Sequence, residues 1–235
     1  MIKLYSYYRS INCYSVRIAL NYKGLEYEYN PVHLVKNGGE QHTPEFKALN
    51  PQEQLPALVD ENITLTQSFA IMEYLEEKYP SPRMMPEDVE LRAYTRQLAL
   101  ICAMDIHPMN SLRVLNYVAA ELALTQEKKT NWKQKWLKDG FDAIETLLGR
   151  AALCSGENYC CGDQITIADM CLIPQVHNAR RYDMDIEQWP LIAAIEKNCL
   201  KLEAFIKAYP EHQPDTPEGP KPAFLKQHNL DYPNA

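Results

Sequence analysis

Residues 7–20, YYRSINCYSVRIAL, crowd Arg9, Ser10, Asn12, Cys13 and Ser15 into a window where a helix pattern begins. A planar guanidinium such as that of Arg9 suits bidentate binding of a carboxylate. A hydroxyl at a helix start, aided by the amides and dipole there, favours an anion, and for a thiol it lowers the pKa by about one to two units. Cys13 offers a thiol of its own, but it shares the spacing of Val16 and Leu20 and reads as an inward-facing packing residue. A second candidate is Gln67-Ser68, where a strand gives way to a helix whose N-terminal amides attract a carboxylate. Taken alone, Ser68 reads as a simple helix cap and Gln67 as a solvated loop residue. His107, in DIHP, is either a hydrogen-bonded core histidine or a donor and acceptor aimed at a ligand. Arg113 is open between surface ion pairing and carboxylate binding, and Arg181 offers a further guanidinium of the kind that suits a carboxylate.

Two kinds of element must hold these residues. Ile2 to Ser6 alternates apolar and polar and predicts a strand, while Cys13, Val16 and Leu20 predict a helix that Gly24 can end in the left-handed conformation. Tyr27 to Val32 is a second strand, and the polar stretch after it holds at most a short helix at 45–49. Pro56 to Val59 and Ile63 to Leu65 flank the turn-forming Asp60-Glu61-Asn62 and predict an antiparallel hairpin. Ser68 then caps a helix to about Tyr79 with Ile71, Met72 and Leu75 on its apolar face. This order suits one small α/β layer over residues 1–80. PSPRMMPE, with three prolines in eight positions, gives a linker at 81–87. Beyond it, helical spacing recurs in Leu91, Tyr94, Leu98, Ile101, then in Leu137, Phe141, Ile144, Leu148, and in Ile192, Ile195, Cys199, Leu202, Ile206. Residues 88–217 therefore read as an all-α domain, within which Thr166 and Asp169 form a capping-box variant ahead of MCLIPQV. The proline-rich end, 218–235, reads as an extended or disordered tail.

Composition narrows the partners. The 235 residues are 46% hydrophobic, enough for a sizeable core, and carry a formal charge of −7 with no basic run. That balance argues against nucleic acid and against an anionic membrane surface, leaving small molecules. No stretch approaches a membrane span, and the N-terminus has no basic segment followed by an apolar run, so the expected location is the cytoplasm. Seven cysteines without C-x-x-C pairs signal neither a disulfide framework nor a zinc site, and adjacent Cys160 and Cys161 mark a loop.

Several stretches now stand in a familiar order: YSYYRS with VRIAL and KGLEYEY, ALNPQEQLPAL, TQSFAIMEYLEEKYP, DIHPMN with RVL, YCCGDQITIADMCLIPQVHNARRY, and QPDTP. Together they span residues 3–217, and the chain resembles the cytosolic glutathione transferases, specifically the zeta class that includes the maleylacetoacetate isomerases. The resemblance implies an α/β thioredoxin-like N-terminal domain followed by an all-α C-terminal domain, glutathione as cofactor, and a homodimer. The implied activity is glutathione-dependent cis–trans isomerisation of maleylacetoacetate to fumarylacetoacetate in aromatic amino acid catabolism. Its rivals are maleylpyruvate isomerisation, a general transferase or peroxidase activity, and a non-catalytic binding protein of the same fold.

Roles follow from matching positions. Ser10 matches the serine credited with stabilising the glutathione thiolate, and Ile11 stands where the family has a second serine. Asn12 stands where the family often has cysteine, and we count it as a second polar contact to the sulfur on its position alone. The resemblance implies that Gln67 and Ser68 hold the γ-glutamyl end, that Leu55, before a cis proline, pairs its backbone with the tripeptide, and that His107 reaches glutathione from the helical domain. Arg9, Arg113 and Arg181 match arginines placed around one mouth where a dicarboxylate binds. Ser15 matches no catalytic position.

Overall fold

The computed structural model describes residues 1–150 and 158–218. The chain parts into two compact units, Met1–Pro82 with Leu200–Ala235, and Arg83–Cys199.

The first unit is built on a four-stranded sheet in the order β2-β1-β3-β4. Strand β1 (Ile2–Ser6) leads to helix α1 (Ile11–Tyr22) and then to β2 (Tyr27–Pro31), which lies parallel to β1. The short α2 (Pro44–Leu49) precedes the antiparallel hairpin of β3 (Ala57–Asp60) and β4 (Ile63–Thr66), and α3 (Ser68–Lys78) follows. Each of these elements falls where periodicity predicts it, and Gly24 ends the first helix at φ 65°. Leu4, Val16, Leu20, Leu58, Ile71, Met72 and Leu75 are completely buried and fasten α1 and α3 to the sheet. The wholly buried Arg17 donates to the Ala208 carbonyl at 3.0 Å, tying α10 (Glu203–Ala208) to α1.

The second unit is helical: α4 (Val89–Leu100), α5 (His107–Asn110), α6 (Leu112–Glu121), α7 (Gln126–Arg150), α8 (Ile167–Arg180) and α9 (Pro190–Cys199). Residues 167–179 of α8 are buried all round, which marks it as the central helix. It begins with the expected box, in which Asp169 Oδ2 accepts from the Thr166 amide at 2.8 Å and from the Thr166 hydroxyl at 2.9 Å.

Three sequence expectations need correction. The periodic run from Ile192 to Ile206 is not one helix: α9 stops at Cys199, Leu202 is extended, and α10 restarts at Glu203. Both pieces bury a face at helical spacing, so the pattern runs through a break it cannot register. In consequence residues 200–217 group with the first unit rather than with the helical domain drawn at 88–217. The run through Ile101 also hides a change of winding, because Ile101–Ile106 is π-helical and only then does α5 begin. The expected tail lies outside the described residues from 219 onward, as does Cys154.

Candidate functional site

One rung of the sheet gathers the candidates of the first unit. Tyr5 stands opposite Ala57, and Ala57 opposite Thr66. Because β3 runs antiparallel to both neighbours, the end of β1, the start of β3 and the end of β4 lie at the same edge of the layer. The loop carrying Arg9 and Ser10, the Leu55-Pro56 pair and the Gln67-Ser68 pair therefore emerge side by side. Tyr7, Tyr8, Cys13 and Leu55 share one packed cluster, consistent with that register.

Ser10 is the N-cap of α1, with extended φ and ψ, and its oxygen accepts from the Cys13 amide at 3.3 Å. A hydroxyl carries one proton and two lone pairs, so capping leaves the proton to be donated to an anion. Ser10 is half-buried and Arg9, beside it, is exposed. Asn12 is half-buried in the first turn of α1. Cys13 is wholly enclosed, and burial raises its thiol above the ordinary value against the opposing pull of Arg17 and of the Ser10 and Ser6 hydroxyls. A thiol so placed is packing material, as the spacing predicts.

The start of α3 is different. Gln67 occupies the cap position at φ 69° and ψ 112°, with no side-chain cap bond, and Ser68 is the first helical residue. The serine expected as a cap thus sits one position too late, because the chain turns out of β4 through a left-handed glutamine. A non-glycine residue at positive φ is held there by its surroundings. Gln67 donates to the Gln52 side chain at 2.8 Å, and Ser68 is buried. The result is an uncapped helix N-terminus with a buried hydroxyl in its first turn, a combination that suits a carboxylate. The peptide bond between Leu55 and Pro56 is cis, and Leu55 lies just before the paired residues of β3.

In the second unit, His107 opens α5 directly after the π-helical stretch, its amide bonded to the Cys102 carbonyl. It is half-buried, and burial lowers its imidazole from 6.5 to about 4. It is therefore neutral near pH 7, with one ring nitrogen to donate and one to accept. Arg113 is exposed in the first turn of α6. Arg181 is half-buried just past α8, with its guanidinium carbon 5.8 Å from the centre of the Tyr182 ring. Both neighbourhoods lean on the same stretch of α7: Trp132 donates to the Met109 carbonyl at 2.8 Å, and Gln134 to the Tyr182 carbonyl at 2.8 Å. Lys133 donates to the Tyr182 hydroxyl. Sequence reasoning gave these α7 residues no part, since their spacing shows only an amphipathic helix. Arg180 is taken up by Glu196 at 3.0 and 2.5 Å, which gives it a structural part. Among the described residues no group of His, Cys, Asp or Glu is placed to hold a metal ion, and no helix is long and apolar enough to cross a membrane.

The family models for the glutathione S-transferase N-terminal domain and C-terminal domain match residues 1–77 and 126–210. The chain belongs to the glutathione S-transferase family. A curated relative, the probable maleylacetoacetate isomerase of Vibrio cholerae, is 47% identical over 90% of this chain and 97% of its own. The holo structure of a maleyl pyruvate isomerase, described as a bacterial glutathione S-transferase in the zeta class, superposes with a TM-score of 0.87 at 43% identity, covering 92% of this chain and all of that one. A maleylacetoacetate isomerase from Methylobacterium extorquens AM1, solved with bound malonate and GSH, gives 0.87 at 36% identity, again over 92% and all of the two chains. The glutathione S-transferase N-terminal match covers the three loops on the sheet edge, whereas His107 and Arg113 lie between the two matched segments.

Proposed function

We propose that the protein is a glutathione-dependent cis–trans isomerase that converts maleylacetoacetate to fumarylacetoacetate. The observation that carries this reading is the sheet edge, where a capping serine with a proton to donate stands beside an uncapped helix start and a cis-proline strand entry. That set fits a ligand with a thiol near one end of the edge and a carboxylate near the other.

When bound, glutathione supplies the thiol that adds reversibly to the activated double bond, so that the bond can rotate and be restored. Ser10 donates its proton toward the sulfur, and the N-terminal amides of α1 add positive potential. Asn12 gives a second polar contact at the sulfur. The first-turn amides of α3, with Ser68 and the Gln67 side chain, take the γ-glutamyl end, and the Leu55 backbone pairs with the tripeptide as an added strand. His107, kept neutral by burial, contributes a hydrogen bond without adding charge. Arg9, Arg113 and Arg181 hold the two carboxylates of the substrate and orient its double bond. In this reading the α/β unit binds glutathione, the helical unit binds the substrate, and the protein works as a homodimer in the cytoplasm. Relatives of both names leave maleylpyruvate as the second substrate to test.

Steady-state rates with maleylacetoacetate and with maleylpyruvate, each with and without glutathione, test the proposal. Isomerisation that needs glutathione and favours maleylacetoacetate is the expected result. No isomerisation of either diacid at millimolar glutathione would overturn it.

A further inference from the structure

Ser10 is set at the end of a short loop, and the structure holds that loop in an unusual way. Tyr8, two residues before Ser10, is bound at both of its backbone polar groups. Its amide donates to Asp215 Oδ2 at 3.0 Å, and its carbonyl accepts from Arg17 Nη2 at 3.1 Å. Arg17 Nη1 also reaches the Tyr7 carbonyl at 3.4 Å and the Ser6 hydroxyl at 3.1 Å, and Nε reaches the Ala208 carbonyl at 3.0 Å. The second oxygen of Asp215 accepts from the Tyr29 hydroxyl at 2.7 Å, which anchors the carboxylate to β2. The Ser10 amide donates to the Tyr7 carbonyl at 3.0 Å, so the fixed segment passes its position directly to the serine.

We infer that Asp215, acting opposite Arg17, is a positioning residue for Ser10: the two grip Tyr8 from either side and thereby aim the Ser10 hydroxyl. This rests on the reading that Ser10 serves the glutathione thiolate. A wholly buried guanidinium whose acceptors are all neutral is expensive to maintain unless its geometry matters, and here three of its four bonds go to residues 6–8. The titratable and charged groups around this segment include Tyr7 and Arg9 on the loop, Cys13 and Arg17 from α1, Tyr29 from β2, Asp215, and His33, whose ring centre lies 4.8 Å from that of Tyr7. The Tyr7 phenol is pushed up to about 12, chiefly by burial, and the Tyr29 phenol is pushed up further for the same reason. Cys13 is raised by burial as well, which leaves the Asp215 carboxylate as the one acidic side chain of this group.

That charge makes the sign of the outcome informative. Removing a carboxylate near an anion would, by charge alone, ease ionisation of the bound thiol and lower its pKa. Loss of an aimed hydroxyl does the opposite. The experiment is a titration of the thiolate absorbance of glutathione bound to the full-length chain, with kcat and KM measured alongside. In Asp215→Ala the thiol pKa is expected to rise by about one unit, with kcat about tenfold lower and the KM for glutathione changed by less than about twofold. Asp215→Asn, which keeps an acceptor for the Tyr8 amide, should return the titration close to that of the unaltered chain. Tyr29→Phe, which removes one anchor of the carboxylate, should shift it upward by a smaller amount, and it serves if Asp215→Ala does not fold. A pKa that falls or stays put, with only thermal stability lost, overturns the inference. So does an Asn variant no better than Ala. Ser10→Ala separates the two levels: an unshifted thiol there overturns the role of Ser10 and the clamp with it, whereas a shift there and none in Asp215→Ala overturns the clamp alone.

Discussion

Two helix starts in this molecule are built to opposite plans. At α8 the first turn is closed upon itself, with the buried Asp169 accepting from the Thr166 amide, the Thr166 hydroxyl and the Cys160 amide. At α3 the first turn is left open, with a left-handed Gln67 in the cap position and no side chain folded back onto the amides. Both are anion sites in the physical sense, since a helix N-terminus attracts negative charge wherever it occurs. The first is satisfied by a side chain of the same chain and serves the fold. The second is presented at the sheet edge, where the proposed function gives it the γ-glutamyl carboxylate of glutathione. The start of α1 follows a third plan, in which Ser10 closes the helix with a lone pair, and capping does not use its proton. Openness at a helix start, rather than the presence of a serine or a carboxylate, is what separates binding from packing here.

The contrast can be broken from either side. The largest effect is expected at the closed start: Asp169→Ala strips three buried donors of their acceptor and should lower the unfolding free energy by about 3 kcal/mol, read from denaturant midpoints. Glutathione affinity of the folded fraction should not change. Ser10→Ala touches both plans at once. Turnover should fall about thirtyfold, or ~2 kcal/mol in the barrier, with glutathione affinity nearly unchanged. The lost cap should also lower stability by about 1 kcal/mol. At the open start, Ser68→Ala should raise the KM for glutathione about tenfold, or ~1.4 kcal/mol, while moving stability by less than about 0.5 kcal/mol. A stability loss of cap size there would mean that α3 is capped after all. At neutral pH the smallest effect concerns His107, whose folded pKa of about 4 lies below its ordinary 6.5. Such a group adds stability above pH 6.5 that is lost as pH falls toward 4, because the unfolded chain then binds more protons. His107→Gln should therefore flatten the stability profile between those values, and an unchanged slope would remove burial of the imidazole as its cause.

Much of this was legible in the residues. The β1-α1-β2 start and the β3-β4 hairpin follow from alternation, helical spacing and turn chemistry, all of them local. The capping box at Thr166 and Asp169 was legible for the same reason. The sheet edge was not, since the rung that joins Tyr5, Ala57 and Thr66 is a pairing across distant sequence that no window reveals. Nor was the open start of α3, where serine at a strand-to-helix junction has the look of a cap and only the backbone at Gln67 says otherwise. The π-helical stretch at Ile101–Ile106 and the break after Cys199 escaped because apolar spacing survives small changes in winding and even a change of partner unit. Asp215 lies in QPDTP, a stretch that carries part of the resemblance but has no spacing that assigns it a role, and its bonds to Tyr8 and Tyr29 span most of the chain.

The attachment of residues 200–217 to the first unit bears on how the protein comes into being. As the chain emerges from the ribosome, β1, α1 and the hairpin are synthesised before the whole helical unit, and the partners that Arg17 and Tyr8 need, at 208 and 215, are synthesised after it. Until then a guanidinium destined for the interior lacks one of its acceptors, and the Tyr8 amide lacks its carboxylate. The α/β part is thus begun early and finished late, and the loop before Ser10 gains its full set of bonds only once translation has passed the helical unit. For this chain the N-terminal unit is not a detachable module, and a fragment ending at 82 would be an unfinished one.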